Sequence, residues 1–141
     1  YRAILTQDRA LDFRATDGSD PFDVTVREPT RSYWVKAIGP VDDNPVHHQA
    51  LLAYSSDYGL LDAALRPHAI SLRDPNMMVA SLDHSIWFHR SVRMDDWMLY
   101  VAESPAAGGA RGFTRGTFYT RSGQLVASVA QEGLVRRKTR P

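Results

Sequence analysis

The sequence predicts an α+β fold in which an antiparallel sheet packs one face against a single long helix. Three observations predict it: a strand-like segment precedes a helical one, residues 44–66 show helical spacing of apolar side chains, and residues 77–136 read almost entirely as strands. This segregation of helix from strands is typical of the α+β class. We expect one domain spanning residues 1–141, which is long enough for a hydrophobic core.

Each element has its own local signal. Residues 1–30 are expected to be loosely ordered or peripheral, with a candidate strand near residues 10–15, and the aromatic-rich segment RSYWVKAIG predicts a strand before Gly39-Pro40. Asn44 is expected to cap the helix, Pro45 to occupy its first position and Pro67 to end it. The later strands are predicted as MMVASLDHSIWFHR, DDWMLYVAES, ARGFTRGTFYTRSG and QLVASVAQEGLVRR. A break at residues 105–109 separates the second from the third, and a Ser122-Gly123 turn joins the third to the fourth.

Composition excludes several classes of site and partner. The chain has no cysteine, which excludes disulfides and thiolate chemistry and makes a cytoplasmic location the simplest expectation. A net charge of +1 and the lack of a long apolar run predict neither nucleic-acid binding nor a membrane span. Fifteen arginines against two lysines reflect compositional habit more than a phosphate site. The first residue is Tyr1, so we expect a processed or trimmed piece of a longer protein.

Asp57 is the most informative single position. Tyr54 and Leu61, three residues before it and four after, both belong to the apolar stripe of the predicted helix. The helix is therefore expected to point a carboxylate toward its buried side, where it is a candidate general base. The alternative is that Asp57 lies at the edge of the stripe, near a kink before Gly59, and meets water.

The segment VASLDHSIWFHR, residues 79–90, brings together polar residues whose directions decide their use. In a continuous strand Ser81 and Asp83 point to one face and His84 to the other. A zinc site or a serine–histidine–aspartate triad within this segment is therefore not expected, and Asp83, His84 and His89 are interpreted as structural. His47 and His48 diverge by about 100° on a helix and make a poor metal pair.

The run DDNPVH resembles the signature of the (R)-specific enoyl-CoA hydratases, which would make Asp42 and His47 the acid and base residues. The competing interpretation is the helix cap already described. Gln131, in the last predicted strand, offers an amide that can bind a water or a carbonyl oxygen. Alone it is weak evidence for any function.

Several segments in one order resemble the C-terminal half of a type II acyl-CoA thioesterase: LLAYSSDYGLLDAALRPH, VASLDHSIWFHR, DDWMLYVAESPAAGGARGFTRG and GQLVASVAQEGLVR. The resemblance implies a hotdog fold, a curved antiparallel sheet wrapped around one long central helix. It also implies that Asp57, Ser81 and Gln131 are catalytic, with Ser81 standing where the family usually has threonine. The implied reaction is hydrolysis of acyl-CoA to a fatty acid and CoA by a bound water, with no metal, cofactor or covalent intermediate.

Relatives resemble two hotdog halves in one chain, with the acyl site between them. This chain is therefore expected to self-associate, a second copy standing in for the missing half, or to pair with a second hotdog half. Arg111 and Arg115 are candidates for contact with the phosphates of CoA. Two alternatives stay open at this point: a half that binds acyl-CoA or serves as a scaffold without turnover, and the hydratase that uses Asp42 and His47.

Overall fold

The computed structural model describes residues 10–20 and 24–138, and the predicted α+β class is confirmed. The helical elements are α1 (Pro45–Ser56), α2 (Asp62–Leu65) and a 3₁₀ turn (Arg66–His68). The strands are β1 (Leu11–Ala15), β2 (Thr30–Ala37), β3 (Met77–Ser81), β4 (Ser85–Phe88), β5 (Met98–Gly108), β6 (Arg111–Thr120) and β7 (Leu125–Arg137). None of the helices in these residues has the length and apolar character needed to cross a membrane.

The seven strands of the described residues belong to one antiparallel sheet in the order β1-β2-β5-β6-β7-β3, and β4 pairs with β7 beside β3. The candidate strand near residues 10–15 is present as β1, inside the segment expected to be loosely ordered. The break predicted at residues 105–109 is wrong. β5 runs to Gly108 and absorbs Pro105 in a register shift between Glu103 and Ala106, where proline needs no ladder hydrogen bond.

The long strand predicted for residues 77–90 is also wrong, because it is two strands. The backbone N–H groups of Leu82 and Asp83 both donate to the carbonyl oxygen of Glu132, at 2.9 and 3.4 Å. Two residues of one strand therefore share one partner on β7, which is the pattern of a β-bulge. The bulge separates β3 from β4 while both keep β7 as their neighbour.

The bulge changes which side chains share a face. Ser81 pairs with Gly133, whereas Ser85 pairs with Ala130, so the register has shifted by one residue between the two strands. Strict alternation holds within each strand but fails across the bulge. As a result His84 lies beside Gln131, on the same face of the sheet as Ser81.

The single helix predicted for residues 44–66 starts as expected and ends early. The side chain of Asn44 accepts a hydrogen bond from the N–H of Val46 at 3.0 Å, and Pro45 follows it. α1 ends at Ser56 because Gly59 has φ +71°, a left-handed conformation in which a helix cannot continue. A short turn then redirects the chain into α2.

The segment after this turn enters the concave face of the sheet, and Leu60 to Leu65 are all buried. Glycines on β6 and β7 make room for it: a Cβ on Gly112 would lie 2.7 Å from the Cβ of Ala64, and one on Gly133 would overlap the side chain of Leu61. The rings of Tyr100 and Phe118 stack at 4.0 Å beneath. Other members of this core are Leu52, Leu60, Ala63, Met94, Val126 and Val129.

Candidate functional site

Asp57 is the first residue after α1, at its C-cap position. Its side chain is exposed, and so is Tyr54 one turn earlier. The prediction that the helix buries this carboxylate is therefore wrong: the helix ends before the apolar stripe reaches Asp57, and only Leu61 is buried as expected. The alternative weighed from sequence, a kink before Gly59 that leaves Asp57 in water, describes the observed geometry.

Asp57, Ser81 and Gln131 meet even though they come from three separate segments. Ser81 is the last residue of β3, and its Oγ donates to Asp57 Oδ1 at 3.3 Å. Gln131, on β7, is 1% exposed, and its Nε2 donates to Ser81 Oγ at 2.7 Å. A carboxylate, a hydroxyl and a carboxamide therefore form one hydrogen-bonded group, and their catalytic role stays a prediction.

His84 also contacts this group, so the prediction that it points to the face opposite Ser81 is wrong, while its structural role stays a prediction. Its Nδ1 lies 2.5 Å from Gln131 Oε1, and its Nε2 lies 2.7 Å from Ser56 Oγ. Alternation along an unbroken strand put His84 on the wrong face. The signal that sequence offered was the density of polar residues at 81–85, which is unusual for a regular strand.

The end of α1 beside this group is held by a buried tyrosine. Tyr100 donates its hydroxyl to the carbonyl oxygen of Ser56 at 2.7 Å. Burial raises the pKa of Tyr100 well above its usual value, and the charges of Tyr33 and Asp57 add to the effect. Tyr100 therefore remains a neutral donor and fixes the backbone from which Asp57 projects.

Other polar residues of the same segment support the sheet. Asp83 Oδ1 accepts a hydrogen bond from the N–H of Glu132 at 2.7 Å, which satisfies a backbone donor at the bulge. His89 Nε2 lies 2.9 Å from Ser128 Oγ. These contacts agree with the structural interpretation of Asp83 and His89.

The residues that suggested a hydratase lie at the opposite end of α1. His47 Nδ1 is 2.8 Å from Asp42 Oδ1, and both side chains are exposed. The hydrogen bond from His47, followed by that from the backbone of Asn44, lowers the pKa of Asp42. At about 1.5 Å per residue, the helix places His47 about 15 Å from Asp57, so the two groups are separate.

The arginines named as phosphate candidates are paired with carboxylates. Arg111 donates to Glu132 at 3.1 Å and Arg115 to Glu103 at 2.5 Å, all on the exposed face of the sheet. Exposed pairs of this kind are weak and can exchange partners. Their contact with CoA stays a prediction.

Comparison with known proteins identifies the family. The sequence profile described as acyl-CoA thioesterase matches residues 4–134. The chain is 46% identical over 114 residues to acyl-coenzyme A thioesterase 8 of Rattus norvegicus, covering 80% of this chain and 35% of the relative. The crystal structure of acyl-CoA thioesterase II TesB2 from Mycobacterium marinum matches with a TM-score of 0.77 at 39% identity, covering 92% of this chain and 50% of that one.

A third match concerns the fold. A conserved protein of unknown function with hot dog fold, from Alicyclobacillus acidocaldarius, matches with a TM-score of 0.61 at 19% identity, covering 92% of this chain and 47% of that one. The predicted hotdog fold is therefore confirmed. The chain spans about one third to one half of the length of these relatives. Because the profile covers most of its residues, the chain belongs to the acyl-CoA thioesterase family.

Proposed function

We propose that this chain contributes the water-activating residues of a thioesterase that hydrolyses acyl-CoA to a free fatty acid and CoA. The observation that carries the proposal is the meeting of Asp57, Ser81 and Gln131 in one hydrogen-bonded group. Folding alone does not require this meeting, because a carboxylate at an exposed helix end is already stable in water. Family membership supports the same reaction.

The proposed mechanism follows from the exposure of Asp57 and from its hydrogen-bonded connection to Ser81 and Gln131. Asp57 is exposed, so water reaches its carboxylate, and Ser81 and Gln131 orient that carboxylate and the water beside it. Asp57 removes a proton as the water oxygen attacks the thioester carbonyl carbon. The tetrahedral intermediate then expels the CoA thiolate, which takes up a proton, and the acyl group leaves as the acid. General base assistance of this kind contributes about 10²–10⁴-fold.

The oxyanion of the intermediate needs N–H donors that α1 of the same copy does not supply. Asn44 and Pro45 begin the helix at the end opposite Asp57, about 18 Å away at about 1.5 Å per residue. Donors at the helix start therefore do not reach the Asp57 site of the same copy. We assign the donors to the oxyanion to the neighbouring loops or to a second hotdog half.

A second half, or a second copy of this chain, is the proposed partner. β3 and β4 pair only with β7 among the described strands, so they leave a sheet edge next to the site. Apolar side chains stand beside this edge: Leu82 is 52% exposed, Trp87 53% and Phe88 40%. An apolar surface of this kind favours association. The partner would enclose the acyl chain over Asp57.

A half that binds acyl-CoA without turnover is the second candidate. It is favoured by one observation, that both Asp57 and Ser81 are exposed in the single chain and lack the dry surroundings of a complete site. The hydratase gains no comparable support, since Asp42 and His47 form an exposed pair at the helix cap.

The test is release of CoA thiol from acyl-CoA substrates of several chain lengths. Asp57→Asn, Ser81→Ala and Gln131→Ala are each expected to lower kcat by about 10²-fold or more, because each removes a group that holds or deprotonates the water. Asp43→Asn is the matched control, as Asp43 is an exposed aspartate paired with Arg93 away from the site.

The two candidates separate clearly in this assay. Binding of acyl-CoA by calorimetry with no thiol released would favour the non-catalytic half. Full activity of Asp57→Asn would contradict the proposed mechanism.

A further inference from the structure

Five polar side chains link two successive residues of the helix end in a closed circuit. Starting at Ser56, its Oγ lies 2.7 Å from His84 Nε2, and His84 Nδ1 lies 2.5 Å from Gln131 Oε1. Gln131 Nε2 donates to Ser81 Oγ at 2.7 Å, and Ser81 donates to Asp57 at 3.3 Å. The peptide bond between Ser56 and Asp57 closes the circuit. His84 and Ser56 thereby join the three residues proposed to act on water.

The Asp57 carboxylate decides which group donates and which accepts in the hydrogen bonds from Ser81 to His84. The Asp57 carboxylate only accepts hydrogen bonds, so the Ser81 hydroxyl donates its single hydrogen to Asp57 and accepts a hydrogen bond from the Gln131 amide. This leaves Gln131 Oε1 facing His84, and a carbonyl oxygen also only accepts. His84 Nδ1 must therefore carry a hydrogen. The protonated nitrogen of the imidazole is thus set by a carboxylate three hydrogen bonds away.

Ser56 is compatible with both charge states of the ring. Its Oγ is within 2.7 Å of the carbonyl oxygen of Ala53 as well as of His84 Nε2. In the neutral ring, Ser56 donates to Nε2. In the cationic ring, Nε2–H donates to Ser56, which donates to Ala53. In either state Nδ1–H still faces Gln131, so the amide keeps one orientation.

We propose that His84 is a positioning residue that orients the carboxamide of Gln131, with Ser56 holding the ring. The inference rests on the proposed function, because the amide matters for catalysis only if Gln131 helps to hold the water. Without His84, the buried Oε1 has no donor and the amide is free to turn by 180°. Its oxygen would then compete with Asp57 for the hydrogen of Ser81.

The kinetic test uses two substitutions with different chemistry. His84→Phe keeps a ring and removes both nitrogens, whereas His84→Asn keeps an N–H near the position of Nδ1. His84→Phe is expected to lower kcat by about 10- to 100-fold, with KM changed less than about threefold, and His84→Asn to recover most of the loss. His89→Phe is the matched control, since His89 follows β4 at the end opposite His84, contacts Ser128 of β7, and its replacement is expected to leave kcat unchanged.

A double-mutant cycle asks whether His84 acts through Gln131. If it does, His84→Phe combined with Gln131→Ala is no slower than Gln131→Ala alone, because the amide to be oriented is already gone. Multiplicative losses in the double variant would overturn the inference. So would a kcat for His84→Phe within about twofold of the unchanged protein, or an equal loss in His84→Asn and His84→Phe.

A measurement without substrate separates this inference from the proposed function. In protein labelled with ¹⁵N-histidine, the nitrogen shifts of His84 are expected to report a protonated Nδ1, and Gln131→Leu is expected to shift the ring toward Nε2–H. A ring protonated only at Nε2 in the unchanged protein would overturn the inference even if the enzyme is active. No thiol release with a protonated Nδ1 would overturn the proposed function and leave the positioning contact in place.

Discussion

Asp62 lies in the buried segment that follows the helix break, where its carboxyl group is largely removed from water. Tyr33 donates its hydroxyl to Asp62 Oδ2 at 3.1 Å. Burial raises the pKa of Asp62 above its usual value, although the charge of Arg31 and the hydrogen bond from Tyr33 act in the opposite direction. The folded protein therefore binds this proton more tightly than the unfolded chain does.

This difference predicts a pH dependence of stability. The contribution of Asp62 to the stability of the folded state is greatest below its unfolded pKa of about 3.9. It falls as pH rises through the raised pKa of the folded state. Asp62→Asn does not ionise, so its free energy of unfolding relative to the unchanged protein is expected to increase from about pH 4 upward. Urea unfolding over a series of pH values measures this trend.

Asp42 provides a control of opposite sign. Its pKa is lowered, chiefly by the hydrogen bond from His47, so it stabilises the folded state above its unfolded pKa. The stability of Asp42→Asn relative to the unchanged protein is expected to decrease as pH rises toward about 4 and to stay level at higher pH. Slopes of the same sign for the two variants would contradict the assignment.

The residues of the candidate site could be named from sequence, but their surroundings could not. Asp57, Ser81 and Gln131 were located by resemblance, and they meet as that resemblance implied. Burial of Asp57 was inferred from helical periodicity, which carries no information about where a helix ends. His84 was missed because alternation assumes an unbroken strand.

At the scale of elements, Gly59 decides the path of the chain. Its positive φ ends α1 beside Asp57 and sends Leu60 to Leu65 into the sheet. A Cβ at this position would lie 2.7 Å from the ring of Tyr33. Gly59 therefore meets two demands at once, a left-handed backbone and close approach to a buried aromatic ring.

Gly59→Ala is accordingly expected to lower the free energy of unfolding by about 2–4 kcal/mol, the sum of a left-handed alanine and a steric overlap. Gly18→Ala is the matched control: Gly18 has φ +63°, and a Cβ there would meet no atom within 4 Å. Gly18→Ala is expected to lower the free energy of unfolding only by the cost of a left-handed alanine, about 1–2 kcal/mol. Equal losses in urea unfolding would rule out the overlap with Tyr33.

Element types were predictable where local chemistry decides them. The Asn44-Pro45 helix start and the strands ending at Gly39-Pro40 and Ser122-Gly123 are as local signals indicate. The single helix and the single strand over 77–90 were wrong, because the left-handed Gly59 ends the helix and a bulge opposite Glu132 divides the strand. These breaks involve contacts with Tyr33 and β7, which are distant in sequence from the segments that break.

At the scale of the whole molecule, the edge formed by β3 and β4 places a catalytic candidate next to an uncovered surface. Ser81 ends β3, and exposed Leu82, Trp87 and Phe88 follow. The site and the proposed interface therefore share one segment. Association is expected to be needed for activity as well as for burial of apolar surface.

We expect the chain to form dimers at about tens of micromolar protein in sedimentation equilibrium, because a second copy would cover this apolar edge. Trp87→Glu is expected to shift the equilibrium toward monomer and to reduce thiol release in parallel, since a charge at the interface resists desolvation. Leu72→Glu changes an exposed leucine outside the edge and serves as the control. A monomer at these concentrations would contradict the prediction.

The bulge between β3 and β4 also determines which residues of this segment can be deleted without disturbing the site. Residues 82–84 lie opposite only two residues of β7, one more than a regular ladder holds. Deleting Leu82 or Asp83 would restore a regular ladder with β7, in which Ile86 still packs on the core and His84 still lies beside Gln131, whereas deleting His84 would remove the contact with Gln131. A one-residue alignment gap at Leu82 or Asp83 is therefore compatible with the site, whereas a gap at His84 is not.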